Sequence, residues 1–197
     1  MRRLVHLGAA VAVAGSLLVV WAAIVPHRGS AQDLADQIAV CTGCHGEAGI
    51  PEDPEVPIIW GQEFYYLYVQ LKDYKAGRRA HAIMSEIVAG LSKQELQALA
   101  QHFAAQTWPA IGFRAEAADV SQGQVAASAG QCVQCHLGGY EGNSRVPRLA
   151  GQTASYLEIT MLAFKTKDRT NSPAKSSLMA SYDEAAIGAM ARYLAGL

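Results

Sequence analysis

One unit of this chain is written twice, and that duplication limits the possible folds more than any other feature of its 197 residues. The stretch Val56-Pro57-Ile58-Ile59-Trp60-Gly61-Gln62 returns ninety residues later as Val146-Pro147-Arg148-Leu149-Ala150-Gly151-Gln152. Tyr66, Leu67, Leu71 and Arg79 match Tyr156, Leu157, Met161 and Arg169 at the same offset. Cys41-Thr42-Gly43-Cys44-His45 returns ninety-one residues on as Cys132-Val133-Gln134-Cys135-His136. Near the end of each half, Leu96, Leu99, Ala100 and Phe103 correspond to Ile187, Met190, Ala191 and Leu194. Internal self-similarity of this kind means two homologous units in tandem.

The repeated cysteine motif then says what each unit holds. C-x-x-C-H is the attachment pattern for c-type haem: two thiols bond the porphyrin side chains and the adjoining imidazole binds the iron. Two such motifs consume all four cysteines. Structural disulfides would leave the adjoining histidines unexplained, as would a thioredoxin-like redox site, and a zinc site would need a compact Cys/His spacing that is missing. Two covalently bound haem c groups are therefore expected, on Cys41 and Cys44 and on Cys132 and Cys135.

The first residues are of another kind. Arg2 and Arg3 precede an apolar run, residues 4–25, interrupted only by His6, Gly8, Gly15 and Ser16. A basic start followed by an apolar stretch is an export signal. Small residues at Gly29-Ser30-Ala31 suit a peptidase, yet the run is close to the ~20 residues that span a bilayer. Residues 1–31 are thus a signal peptide or a membrane anchor, and either one places the body in the periplasm. Beyond them the charge is uneven. Residues 32–109 carry ten acids against five bases, a net of −5, whereas residues 119–197 carry six acids and seven bases, a net of +1. No basic patch interleaved with aromatics is present, which argues against nucleic acid as a partner.

Each half reads as three helices. The first runs into the cysteines, starting near Asp33 or Ser121. The second covers about 63–75 and 153–165 with apolar residues at helical spacing. The third follows a capping residue, Ser92 with Glu95 three on, and Asp183 (or Ser181 with Glu184). No alternating strand pattern competes. Pro109 and Gly112 mark a linker. The expected domains are 32–108 and 119–197, joined by 109–118. Units of this size are small for a self-sufficient core, and a large apolar cofactor bonded to the chain supplies the missing interior.

His45 and His136 follow from the motif as proximal ligands. On the other side of the first iron, Met84 is that half's only methionine, thirty-nine residues past His45. Thioether opposite imidazole raises haem potential. His81, three residues earlier, is the alternative, and His102 in the last helix reads as a solvated residue. In the second half Lys175 stands thirty-nine residues after His136, with Met179 four further on. Lysine binds iron only as the neutral amine, against a reference pKa of about 10.4, and short loops absorb insertions easily. Met179 is the expected donor and Lys175 the alternative. Met161 and Met190 fall on helix positions equivalent to Leu71 and Leu99 and read as core.

These halves, each with a C-x-x-C-H motif, a Pro-x-x-x-Gly-Gln stretch, a Tyr-Leu helix, an arginine turn and an apolar last helix, resemble the di-haem cytochrome c4 family. The resemblance implies an all-α chain of two class I cytochrome c domains with their haem edges close together. It implies that the Pro57 and Pro147 carbonyls accept from Nδ1–H of His45 and His136, fixing the ring tautomer. Lys175 is the departure, since the family places methionine there. The expected function is carriage of single electrons from a quinol-oxidising complex or dehydrogenase towards a terminal oxidase, without catalysis, the cofactor supplying the chemistry. The competing expectation is the cytochrome subunit of a periplasmic dehydrogenase, or a thiosulfate-dehydrogenase-like oxidoreductase with a labile Lys175 ligand.

Overall fold

The structure, a computed structural model, describes residues 31–197. The apolar run at 4–25, expected as signal or anchor, lies outside the described residues. Among the described residues the fold is all-α, with a single isolated bridge between Asn143 and Val146. No helix among them is long and apolar enough to cross a membrane.

The first half is built from α1 (Ala31–His45), α2 (Phe64–Lys75), α3 (Ala82–Ala89) and α4 (Lys93–Ala104). The second holds α5 (Ala117–Ala129), α6 (Val133–His136), α7 (Ala154–Thr166), α8 (Pro173–Met179) and α9 (Glu184–Ala195). The long helices fall where the apolar spacing predicts them. The short helices α3 and α8 are additional to the three expected per half, and α5 begins two residues inside the expected linker. The first helix of the second half is also split. Gly130 caps α5, Gln131 takes φ +50°, and α6 restarts only for the Cys135-His136 turn, whereas α1 runs unbroken through Cys44 and His45.

Each half has its own apolar core. In the first, Leu67, Tyr68, Leu96, Leu99, Ala100 and Phe103 are buried, with Cys41, Trp60 and Met84 packed against them. In the second, Leu157, Ile187, Met190, Ala191 and Leu194 are buried, with Cys132 and Met161 against them. Apart from Tyr68, these buried residues are the paired positions of the sequence repeat. The last helix of each half starts where its cap dictates. The Ser92 hydroxyl accepts from Glu95 N–H and the Glu95 carboxylate accepts from Ser92 N–H, while the Asp183 carboxylate accepts from Ala186 N–H at 2.7 Å. In the second half α5 crosses α9 at Gly123, where a Cβ would lie 2.4 Å from the Ala189 carbonyl oxygen and 2.5 Å from Tyr193 Cβ. Only glycine permits so close a crossing.

The halves meet through bonds that repeat the sequence offset. Gln152 donates from Nε2 to the Ile58 carbonyl and accepts at Oε1 from Ile58 N–H, both at 2.9 Å. Gln62 does the same to residue 148, at 3.0 and 2.8 Å. Tyr66 N–H donates to the Ser144 carbonyl and Tyr156 N–H to the Pro54 carbonyl. Arg79 donates to the Tyr156 hydroxyl at 3.1 Å and Arg169 to the Tyr66 hydroxyl at 3.4 Å. Each of these bonds has its counterpart from the other half, as in the isologous interface of a two-fold dimer.

Candidate metal centres

His45 closes α1 and His136 closes α6, and both rings are buried. In each motif the first cysteine stands three residues before the second and four before the histidine, the spacings that share a helix face. Cys41 and Cys132 are half-buried against their cores, while Cys44 and Cys135 are exposed. The four cysteines form no disulfide with one another.

The Nδ1 atom of His45 lies 2.8 Å from the Pro57 carbonyl oxygen, and Nδ1 of His136 lies 2.8 Å from that of Pro147. A carbonyl can only accept, so each Nδ1 carries the proton and each Nε2 presents its lone pair. The rings are also held neutral. Burial lowers the pKa of His45 against the raising effect of the Pro57 carbonyl. Burial, with the Lys175 charge adding to it, takes His136 down to about 4. Two neutral imidazoles with fixed tautomers, each with its lone pair on Nε2, are suited to bind a soft or borderline metal ion.

On the distal side of the first half, Met84 is half-buried in the first turn of α3 and packs against the core that also contains Cys41 and Trp60. His81 is exposed and serves as the α3 cap, its Nδ1 accepting from Met84 N–H at 3.3 Å. His102 is half-buried on α4, edge-on to Phe103. In the second half the side chain brought to His136 is Lys175, with Nζ 3.0 Å from Nε2. Met179, the donor expected from the sequence, lies one turn further along α8, buried, at the position equivalent to Val88 of α3.

The surroundings suit a haem rather than a bare ion. Among the described residues no cluster of three or more His, Cys, Asp or Glu side chains is placed to hold a metal. The indole Nε1 atoms of Trp60 and Trp108 are buried without an acceptor. Donors left unpaired in the interior are costly, and the carboxylates of a haem edge are acceptors of the required kind. Sequence reasoning passed over both tryptophans. Trp60 stood within the repeat but without a counterpart, Ala150 taking its place, and that mismatch was the available signal.

No family model matches the chain. Curated relatives do. It is 32% identical to cytochrome c4 of Pseudomonas aeruginosa over 171 residues, covering 81% of this chain and 84% of that one. It is 30% identical to cytochrome c4 of Thiocapsa roseopersicina, covering 87% and 97%. A thiosulfate dehydrogenase electron acceptor of Stutzerimonas stutzeri is 34% identical over 68% of this chain and 66% of its own. Among solved structures, reduced recombinant cytochrome c4 from Pseudomonas stutzeri superposes with a TM-score of 0.76 at 29% identity, over 86% of this chain and 99% of that one. With two buried proximal histidines beside two cysteine pairs, and relatives of this similarity over four-fifths of its length, the chain belongs to the cytochrome c4 family: a di-haem electron carrier with one haem c bonded through each C-x-x-C-H motif.

Proposed function

We propose that the protein is a periplasmic relay that takes single electrons from a quinol-oxidising complex or dehydrogenase and passes them towards a terminal oxidase, with no substrate chemistry of its own. The observation that carries this reading is the pair of buried, tautomer-locked histidines. His45 and His136 are buried proximal donors locked by the Pro57 and Pro147 carbonyls. Met84 is the distal donor of the first centre, in the first turn of α3 and packed against the same core as Cys41. His81 is unsuited to that role, being exposed and engaged in capping. The bound haem supplies one-electron chemistry and nothing else when both axial positions are taken by protein. The chain's own contribution is burial, a fixed tautomer and a docking surface. The domains proposed are 32–108 and 119–197 with 109–118 between them, and residues 1–31 direct export, by cleavage or by anchoring.

The docking surface favours a basic partner at the first half. Glu47, Glu52, Asp53 and Glu55 are all exposed on the loop that follows His45, and Asp33, Asp36 and Glu86 add to the same half. Exposed charge of one sign beside a redox centre steers association and is screened beyond about 8–10 Å at physiological ionic strength. Electron transfer from a basic partner should therefore slow steeply as salt rises, measured by stopped flow. Replacing Glu52, Asp53 and Glu55 with their amides should flatten that slope. Rates indifferent to salt would sink this part of the reading.

A second reading has a specific observation in its favour. Two relatives are thiosulfate dehydrogenase electron acceptors. A solved thiosulfate dehydrogenase from Marichromatium purpuratum also matches over 79% of this chain and 36% of its own, with a TM-score of 0.70. This chain would then accept electrons from a dehydrogenase bound to it as a partner or subunit. Native purification separates the two: a relay is isolated alone, a subunit with a larger protein.

A further inference from the structure

We propose that the amine of Lys175 is the distal ligand of the second haem iron, so that the two centres of one chain carry different donors, thioether at the first and amine at the second. The inference deepens the proposed electron-relay function and rests on its two-haem ligation.

Position is the first ground. The repeat carries α3 onto α8 at an offset of ninety-one residues, and at that offset Met84 falls on Lys175. Both stand third in their helix, and both lie thirty-nine residues past their proximal histidine. Whatever the fold does to present Met84 to the first centre, it does to Lys175 at the second.

Contact is the second ground. Lys175 Nζ sits 3.0 Å from His136 Nε2, the atom that the Pro147 carbonyl leaves free for metal. Among the described residues no carboxylate pairs with the amine. The other lysines of the repeat are differently employed. Lys75 and Lys165 close equivalent helices, and each donates to the carbonyl just ahead of the capped last helix, at Leu91 and Tyr182. A structural lysine in this fold has that place. Lys175 occupies the ligand's place.

Met179 is the competitor. It shares the α8 face with Lys175 but stands four residues on, about 6 Å along the axis at 1.5 Å per residue. Its counterpart in the first half is Val88, which is 1% exposed and belongs to the first core cluster. Met179, 5% exposed, has the burial of a core residue at that position.

A nitrogen donor in place of thioether removes the feature that raises haem potential in cytochromes c. The second haem should therefore titrate below the first. At equilibrium a single electron would reside on the first haem, in the acidic half.

The test is the near-infrared band of ferric iron bonded to methionine sulfur, measured on the oxidised full-length holoprotein and scaled to haem content. Lys175→Met should add one haem equivalent of this band and raise the lower of the two potentials. Lys175→Arg keeps a long basic side chain that cannot donate to iron, and should cost one haem its low-spin spectrum. Met179→Leu should leave band and potentials as in the wild type. An unchanged band in Lys175→Met, or loss of half the wild-type band in Met179→Leu, overturns the assignment. Mass spectrometry of the denatured chain separates this failure from a broader one. Fewer than two bonded haems would overturn the underlying reading, whereas two bonded haems with an unchanged band would overturn the lysine alone.

Discussion

The two halves share a plan and differ in how tightly they are finished. The first has a continuous entry helix through its cysteines, a reciprocal cap on its last helix and an acidic surface. The second breaks its entry helix at Gly130–Cys132, seats α5 against α9 at Gly123, and places a lysine where the first has methionine. Duplication fixed the frame in both halves. What has since diverged is the surface, the packing of the first helix and the distal residue, which are the features that set docking, local stability and potential without changing the fold.

The interface shows the same mixture. The glutamine, tyrosine and arginine bonds come in pairs, yet the two glutamines are not equally placed. The Gln152 bonds to Ile58 are fully buried, whereas those of Gln62 to Arg148 are partly open to water. Gln152→Ala would leave the N–H and C=O of Ile58 unpaired in the interior, at an expected cost of about 2–4 kcal/mol, since an orphaned buried group costs roughly 1–3. Gln62→Ala should cost clearly less, about 1–2 kcal/mol, because water can reach the groups it abandons. Denaturant midpoints of the two oxidised holoproteins would make the comparison. Equal losses would show that the interface behaves symmetrically despite its unequal exposure.

At the centre of the interface the symmetry fails outright. Gln70 Oε1 accepts from Arg79 at 2.9 Å, from Arg169 at 2.8 Å and from Asn171 at 3.1 Å, while its repeat counterpart is Thr160. Two buried guanidiniums from different halves thus share one acceptor. Burial would raise the Tyr156 phenol, but the charges of Arg79 and Arg169 outweigh it and draw its pKa down. Asp73 gives them little relief. One of its oxygens is held by Arg78 and the other accepts from Asn171.

Much of this was legible in the sequence, and the rest was hidden for identifiable reasons. The motif named both proximal histidines, and the apolar spacing placed α2, α4, α7 and α9 within a residue or two. Ser92 and Asp183 announced their helices because capping is local chemistry. The short helices α3 and α8 span 8 and 7 residues, too few to show a helical period. Gln62, Gln152, Tyr66, Tyr156, Arg79 and Arg169 were visible as repeat matches, but a repeat marks positions without saying that each side chain reaches across to the other half. At the second centre the chemistry of the donors points to Met179 and the spacing to Lys175, the ligand we propose.

The close crossing of α5 and α9 gives the next contrast. Gly123→Ala would put a Cβ 2.4 Å from a backbone oxygen, and the helices would have to separate. Overpacking of this kind costs about 1–3 kcal/mol. Gly90 at the end of α3 has φ −81° and nothing within 4 Å of an added Cβ, so Gly90→Ala should change stability by no more than about 0.5 kcal/mol, as for surface substitutions. Thermal unfolding of both variants would measure the difference. A harmless Gly123→Ala would mean that the second half is less tightly seated than its geometry indicates.

The smallest effect concerns the two caps. Ser92→Ala and Asp183→Ala should each cost about 1 kcal/mol, the ordinary loss of an N-cap. They should part company with pH. In the first half the Glu95 carboxylate returns a bond to Ser92 N–H and also accepts from Gln37 at 2.7 Å. The Ser92 bonds, and then Gln37, hold its pKa below the usual 4.5. A carboxylate with a lowered folded pKa contributes stability that is complete above its unfolded value and is lost as pH falls through the folded one. Glu95→Gln keeps a capping side chain without the charge. Its stability deficit against the wild type should therefore be largest at neutral pH and shrink as pH falls below about 4.5, towards zero once Glu95 is protonated in both states. Acid effects on the haem ligands are common to both proteins and cancel in the difference. A deficit that stays constant from pH 7 down to pH 3 would show that Glu95 acts through its shape and not through its charge.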